Sequence, residues 1–429
     1  MRSTRLGSAA AAAALVVLAG LATAPTGPAV AAPTATAAAK AKANKADARI
    51  KAKLKSRIKH PALGKDVAVR VHDPLTGKTV YSSRSTQGQL PASNMKIVTA
   101  ANALTVIGPS TRFPTRVVRG SSSTHIVLVG GGDPLLASGD LGKLAYRTVA
   151  ALKKGSATGT APQKVRLTVD ATLFPKPTRA PGWRTSYGLS EVSPVRALAR
   201  RGVASKDTVA DARTYFVKQL KARGVAASYA GLAGKRATGV EIARFEGHRV
   251  DQAVRAMMPP SDNQIAEVLF RQVALHSGRS ATWGNGAKAA RAALAKAKVP
   301  LSGVAIKDGS GLSRSNRLTA AALVAILRRA EDGGTASLNA LMPSMPVAGR
   351  SGTLRSRYTS SPTRCARGKV KAKTGYIDGV VALSGVARGA DGRPRVFSIV
   401  ANSIPSSRHS VRSTQLAVDR LAATITGCH

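Results

Sequence analysis

The chain has 429 residues, 44% of them hydrophobic and 20% charged, which is enough to bury an enzyme-sized core with an insertion and excludes disorder throughout. Aromatic residues make up only 3%, so its cores must be built from Ala, Val, Leu and Ile. Lys and Arg outnumber Asp and Glu by 66 to 20, a formal charge of +46 that suits contact with polyanions. No aromatic-interleaved basic motif and no zinc-ligand spacing accompanies that charge, which argues against nucleic-acid binding.

In chain order, Arg2 and Arg5 precede an apolar run from about Ser8 to Leu21, then Pro25, Gly27 and Pro28, then the small residues Ala29-Val30-Ala31. This is the pattern of a signal peptide over 1–31, and the run is short for a membrane span. It predicts a secreted, extracytoplasmic protein that stays strongly basic after cleavage and meets anionic wall polymers or a membrane surface. Residues 32–47 lack apolar periodicity and read as a flexible tether, leading into a basic helix that ends near Lys59.

Asp66 to His72 and Lys78 to Ser83 alternate around Asp73-Pro74-Leu75-Thr76-Gly77, the signature of a hairpin. Ser93 to Ile107 carries an apolar stripe at helical spacing. Helices also fit Asp207 to Arg223, Asn263 to His276, Gly284 to Lys298 and Leu318 to Asp332, with strands at Ile126 to Val129 and Val165 to Asp170. The end of the chain offers strands at Lys369 to Thr374, Val380 to Arg388 and Arg395 to Ser403, then a helix from about His409. Two strands from the start and three from the finish predict one antiparallel five-stranded sheet flanked by helices, an α+β catalytic domain of residues 60–110 and 250–429. Residues 111–249, with their own strands and many Gly and Pro, read as an inserted mixed α/β domain. Cys365 and Cys428 are the only cysteines, and in an oxidising compartment they are expected to bridge rather than to act or bind metal.

The chemistry is carried by three short motifs. In Ser93-Asn94-Met95-Lys96 the serine and lysine stand three apart at a helix start, so one turn puts hydroxyl and amine on the same face. Lys96 can then take the Ser93 proton if burial and a second cation keep it neutral. The spacing alone is weak, since Ser56-Arg57-Ile58-Lys59 has it too. Order strengthens it: Ser261-Asp262-Asn263 follows, and then Lys373-Thr374-Gly375, the sequence of motifs of serine β-lactamases and penicillin-binding proteins. Ser261 offers a hydroxyl to relay a proton to the leaving amine, and Asn263 an amide to hold substrate backbone. The Lys373 cation suits a terminal carboxylate, Thr374 and Gly375 let substrate lie along the strand, and the N–H groups of Ser93 and Tyr376 form the expected oxyanion hole. Ser337-Leu338-Asn339 repeats the Ser-x-Asn pattern too close to Lys373 and reads as a decoy. No metal spacing and no nucleotide loop is present, so no cofactor is expected.

Beyond these motifs the chain resembles, from about Lys65 to Arg420, the class C low-molecular-mass penicillin-binding proteins of the D-alanyl-D-alanine carboxypeptidase/endopeptidase type. Three stretches carry the likeness: Leu128-Val129-Gly130-Gly131-Gly132-Asp133-Pro134, Asp308-Gly309-Ser310-Gly311-Leu312-Ser313-Arg314 and Ala348-Gly349-Arg350-Ser351-Gly352-Thr353-Leu354. The resemblance implies a transpeptidase-like fold and a serine D,D-carboxypeptidase acting on D-Ala-D-Ala ends, or as a D,D-endopeptidase on cross-links, of peptidoglycan stem peptides through an acyl-enzyme. It also implies covalent inhibition by β-lactams. Arg314 is implied to meet a carboxylate on the third stem residue and Leu312 to line that pocket. Two positions depart from the family pattern: Ser186 stands three after Trp183 where an acid is usual, and Tyr376 stands where Thr or Ser is usual. The competing readings are a serine β-lactamase, for which no Glu-x-x-Leu-Asn loop is found, and a catalytically weak basic wall-binding protein of the same fold.

Overall fold

The computed structural model describes residues 37–405 and 407–428. The expected signal segment 1–31 and the first residues of the tether lie outside them. The first helix, α1 (Ala37–Arg57), starts earlier than the tether reading allows, so residues 37–47 are helical. Ala43, Asp47, Ile50 and Leu54 share one face and are buried. Two of these four are an alanine and an aspartate, so the stripe hides in the sequence. Asp47 takes a hydrogen bond from Arg395 Nε at 2.8 Å and pairs with Arg393, which fixes α1 to the sheet.

Strands β1 (Asp66–Asp73) and β2 (Lys78–Ser83) form the expected hairpin, with Asp73 accepting from Leu75 N and Gly77 N across the turn. A 3₁₀ turn (Ala92–Asn94) leads into α2 (Met95–Asn102) and a π turn (Ala103–Ile107). Then follow β3 (Thr115–Arg119), β4 (His125–Val129), α3 (Ser138–Lys154), β5 (Lys164–Asp170), α4 (Thr208–Lys221), β6 (Ala226–Leu232) and β7 (Glu241–Phe245). Helices α5 (Val250–Met257), α6 (Asn263–Leu275), α7 (Trp283–Lys296) and α8 (Ala320–Glu331) precede β8 (Val370–Ile377), β9 (Val380–Arg388), β10 (Pro394–Asn402) and α9 (Arg408–Ile425).

The first sheet has the order β2-β1-β10-β9-β8 and is antiparallel throughout, with the two ends of the chain joined where β1 pairs β10, Val71 opposite Phe397. Both faces are covered. Val69, Val71, Phe397, Ile399 and Leu383 pack with Ile50 and Leu54 of α1 and Leu421 of α9, whereas Ala382, Val386, Val396 and Val400 face a helical core that includes α2, α6 and α8. Burial on both sides is why β9 and β10 read as continuous apolar runs rather than alternating ones. A bond between Cys365 and Cys428, as expected, ties the C-terminal end beyond α9 to the segment before β8.

The second sheet, β6-β5-β4-β3-β7, is mixed: β4, β5 and β6 are parallel, and β3 pairs antiparallel with both β4 and β7. Its core lies between the strands and α3 and α4, where Leu141, Leu144, Val165, Leu167, Phe216 and Leu220 meet. Arg112 and Arg249 form an antiparallel bridge, so the chain leaves for and returns from this sheet at one point. The irregular stretch around Phe174, Val192 and Val195 packs on the helical core of the first unit instead, and this brings its loops to the rim of the site. Among the described residues no helix is long and apolar enough to cross a membrane.

Candidate active site

The turn that carries Ser93 is held in an unusual backbone. Ala92, just before it, has φ +45°, a region non-glycine residues rarely adopt. The turn is clamped from both sides: a Cβ at Gly311 (φ +91°) would lie 1.8 Å from the Ala92 carbonyl oxygen, and one at Gly375 2.9 Å from that of Pro91. Only glycine lets the 308–316 loop and β8 approach so closely. Below the turn, buried Asn94 donates from Nδ2 to Ser384 Oγ at 2.8 Å, and Ser384 donates to Ser398 Oγ at 2.8 Å, pinning the turn to β9 and β10. Ser93 remains half-buried, the only residue from Pro91 to Ala100 that is not fully buried.

One turn on, Lys96 is fully buried and its Nζ is ringed by three oxygens: Ser93 Oγ at 3.0 Å, Asn263 Oδ1 at 2.7 Å and the Ser310 carbonyl at 2.9 Å. Burial brings its ammonium down to about 8, against the opposing pull of Glu267, Asp308 and Asp262. Asn263 opens α6, whose first turn is capped by Asp262 through Ile265 N at 2.9 Å, and its Nδ2 donates to the Glu191 carbonyl at 2.9 Å. Ser261, two residues before, is held at φ +64° in the loop entering that helix.

The opposite wall is β8. Lys373 is fully buried and donates from Nζ to the Thr374 carbonyl at 2.9 Å. Burial, and then repulsion by Lys96, hold it well below the usual lysine range. Burial is the shared cause, so both lysines shed a proton more readily than exposed ones would. Thr374 Oγ1 lies 2.7 Å from Thr353 Oγ1, in the loop whose Gly352 and Thr353 abut Pro259 next to the Ser261 loop. Among the described residues no group of three or more His, Cys, Asp or Glu is placed to hold a metal. What the arrangement offers is an accessible hydroxyl beside a partly neutral amine, with a second buried cation on a strand edge.

The sequence matches the family described as D-Ala-D-Ala carboxypeptidase 3 (S13) over residues 50–198 and 192–425. The chain belongs to this family. A carboxypeptidase of Mycobacterium tuberculosis is 31% identical to it over 388 residues, covering 86% of this chain and 81% of that one. A D-alanyl-D-alanine carboxypeptidase of an Actinomadura strain is 30% identical over 432 residues, covering 80% and 79%. Among solved structures, penicillin binding protein 4 of Haemophilus influenzae has a TM-score of 0.75 at 22% identity, covering 88% of this chain and 98% of that one. A predatory peptidoglycan endopeptidase of Bdellovibrio bacteriovorus has a TM-score of 0.52 at 16% identity, covering 82% and 90%. The α+β fold with its antiparallel five-stranded sheet is thus the fold of this S13 chain.

Of the residues singled out in the sequence, Ser93, Lys96 and Asn263 meet through direct hydrogen bonds, and Lys373 comes near enough to Lys96 to repel it. Leu312 is buried, with its carbonyl accepting from Tyr187 Oη at 3.2 Å. Arg314 lies at the far end of β8, where Nη1 donates to the Asp378 carbonyl at 2.8 Å. Tyr376 projects from β8 with 48% of its surface exposed. The decoys fall elsewhere: Ser56 is exposed near the end of α1, and Ser337 lies in a 3₁₀ turn after α8.

Two buried carboxylates were missed. Asp308 accepts from Gly311 N, Ser313 N, Asn316 Nδ2 and Trp183 Nε1, all between 2.6 and 2.9 Å, and so shapes the loop that holds Ser310 against Lys96. Glu267 accepts from Gly309 N and Ser310 N at 2.9 and 2.8 Å, while burial and Asp308 push its carboxyl up to about 8. Glu267 sits four residues after Asn263 and four before the equally buried Arg271, on the same face of α6. An acid in that position was the signal available.

Proposed function

We propose that the chain is a serine-type D-Ala-D-Ala carboxypeptidase in which Ser93 is the nucleophile and Lys96 the base. The observation that carries this reading is the 3.0 Å contact from Lys96 Nζ to Ser93 Oγ, made by a lysine whose burial leaves part of it neutral at neutral pH. Ser93 Oγ attacks the carbonyl carbon of the penultimate D-Ala as Lys96 takes its proton. The N–H groups of Ser93 and Tyr376 receive the oxyanion. Lys373 and Thr374, with Gly375 leaving room beside the strand, hold the terminal carboxylate. Ser261 passes the proton to the leaving amine, and Asn263 holds the acylated peptide until water releases it. β-Lactams acylate the same serine.

Toward the third stem residue, Arg314 and Leu312 are the proposed contacts. Ser186 supplies no acid there, but Asp378, paired with Arg184 at 2.5 Å beside Arg314, places a carboxylate at the same end of the strand. Residues 60–110 with 250–429 form the catalytic unit in this reading, and 111–249 the insertion. The N-terminal pattern supports export to the cell wall. Lys42, Lys45, Arg49, Lys53 and Lys55 are exposed on α1, and no lysine among the described residues joins an ion pair, so this surface favours anionic wall polymers or a membrane surface. The test is D-Ala release from a pentapeptide ending in D-Ala-D-Ala. The wild type is expected to release it and Ser93→Ala is expected to lose at least a thousandfold; equal release by both would overturn the assignment.

A further inference from the structure

The second sheet has two unlike faces. One is covered by α3 and α4; the other is crossed by residues 233–239, whose Ala237 packs on Val118, Val127 and Val129 and donates from N to Asp170 Oδ2 at 2.9 Å. At the junction of this sheet with the helical core lies a pocket of about 380 Å³. Phe113, Pro114 and Leu173 supply its apolar lining, and Gln272 and His276 bring the end of α6 to it. Gln272 lies near the far end of α6 from Asn263, about 14 Å along the helix axis.

Four arginines line this pocket and no acid does. Arg116 and Arg244 stand directly opposite each other in the β3–β7 pair, where like charges repel. Two carboxylates outside the pocket answer them: Glu241 lies 3.6 Å from Arg116 and 3.1 Å from Arg244, and Glu246 3.1 Å from Arg244. The other two arginines have no carboxylate. Arg112 donates from Nη1 to the Gly247 carbonyl at 2.8 Å, and the Arg236 guanidinium has no ion pair or hydrogen bond among the described residues. Both residues are exposed. The pocket thus keeps two surplus guanidinium charges, brought to it by separate segments. A carboxylate offers one charge and two oxygens in a plane. A phosphate carries about −1.5 to −2 near pH 7 and three acceptor oxygens, so it can answer both forks at once.

We propose that this pocket binds a phosphoryl group, carried by an anionic wall polymer or free in solution. His276 also lines a neighbouring groove of about 690 Å³, where Arg279, Lys296 and Arg329 are the other cations and no acid is present. A polymer that seats one phosphate in the pocket carries its next ones past His276 toward these cations. Neither cavity includes Ser93, Lys96, Ser261 or Lys373, so occupancy holds the protein to its surroundings without blocking acylation. The assignment therefore stands apart from the catalytic reading.

The experiment is calorimetric titration of the full chain, at fixed ionic strength, with inorganic phosphate, with acetate and with a short poly(glycerol phosphate). Phosphate is expected to bind at one site, more tightly than acetate. Arg112→Gln/Arg236→Gln should weaken it about tenfold or more, as for lost charge-assisted hydrogen bonds. Because a chain of charge +46 attracts any anion, Lys42→Gln/Lys45→Gln/Lys53→Gln on α1 serves as the control and should leave phosphate affinity unchanged. Penicillin labelling of the double variant at the wild-type rate shows that it is folded. Arg236→Gln alone breaks no ion pair or hydrogen bond and should weaken phosphate as well, which keeps the test open if the double variant does not fold. Tighter binding of the oligomer than of phosphate, per phosphoryl group, makes the polymer the source; the reverse makes it the free ion. Equal phosphate affinity in the wild type and the arginine variants, acetate bound as tightly as phosphate, an equal loss in the α1 variant, or competition between phosphate and penicillin would each overturn the site.

Discussion

Titrating Lys96 is the perturbation that probes the site most fully. An exposed lysine near 10.4 is neutral in only about four molecules in ten thousand at pH 7. With its ammonium lowered to about 8, roughly a tenth of Lys96 is neutral at that pH, a gain of about two hundredfold in competent base. Acylation by a chromogenic penicillin, followed in single turnover with the β-lactam in excess, should therefore rise about tenfold per unit at low pH. It should bend near pH 8 and level off by about pH 9. Between pH 6 and pH 8 the neutral fraction grows from about 1% to about half, so the rate should rise about fiftyfold. Burial alone lowers Lys96, so Lys373→Met should leave the bend near pH 8. A rate that is flat from pH 6 to 8, or that first bends near 10.4, would refute burial of Lys96 as the source of the base.

The same burial has a stability signature. Unfolded chain binds the Lys96 proton more tightly than folded chain, so folding is penalised below about pH 8 and the penalty fades as pH climbs toward 10.4. Lys96→Met should lack about 2 kcal/mol of that rise when unfolding by denaturant is compared at pH 8 and 10. Gly311→Ala forces a Cβ against the Ala92 carbonyl at a positive φ and should cost about 2–4 kcal/mol while slowing acylation, both read by thermal melts and penicillin labelling. Cys428→Ser opens a link between residues 63 apart and should lower stability by about 4 kcal/mol, measured as a fall in Tm that reductant reproduces in the wild type.

Much of this fold was legible because its strands and helices are long and bounded by turn residues. The β1–β2 hairpin announces itself through Asp73 to Gly77, and β9 is readable end to end as Val380–Arg388. Helix α3 was not, since Gly139 and Gly142 interrupt a stripe whose members, Leu141, Leu144, Thr148 and Leu152, become evident only when buried against the second sheet. The N-terminal extension of α1 was missed for a related reason: its anchor is an aspartate that counts as apolar only in company with Arg393 and Arg395. At the site, motif spacing suggested Ser93, Lys96 and Asn263 because each belongs to a local pattern. Asp308 and Glu267 act through backbone N–H groups of a loop, and such partners leave no mark at fixed spacing. The positive φ at Ala92 and Ser261 was equally invisible, and at Ala92 it goes with close approach of Gly311 and Gly375 from distant segments.

Whether Ser93 is the acylated residue is read by peptide mapping with mass spectrometry after incubation with penicillin. A single adduct is expected on the peptide containing Ser93, absent from Ser93→Ala and unchanged in Ser56→Ala and Ser337→Ala. An adduct on another serine, or one that survives in Ser93→Ala, would contradict it.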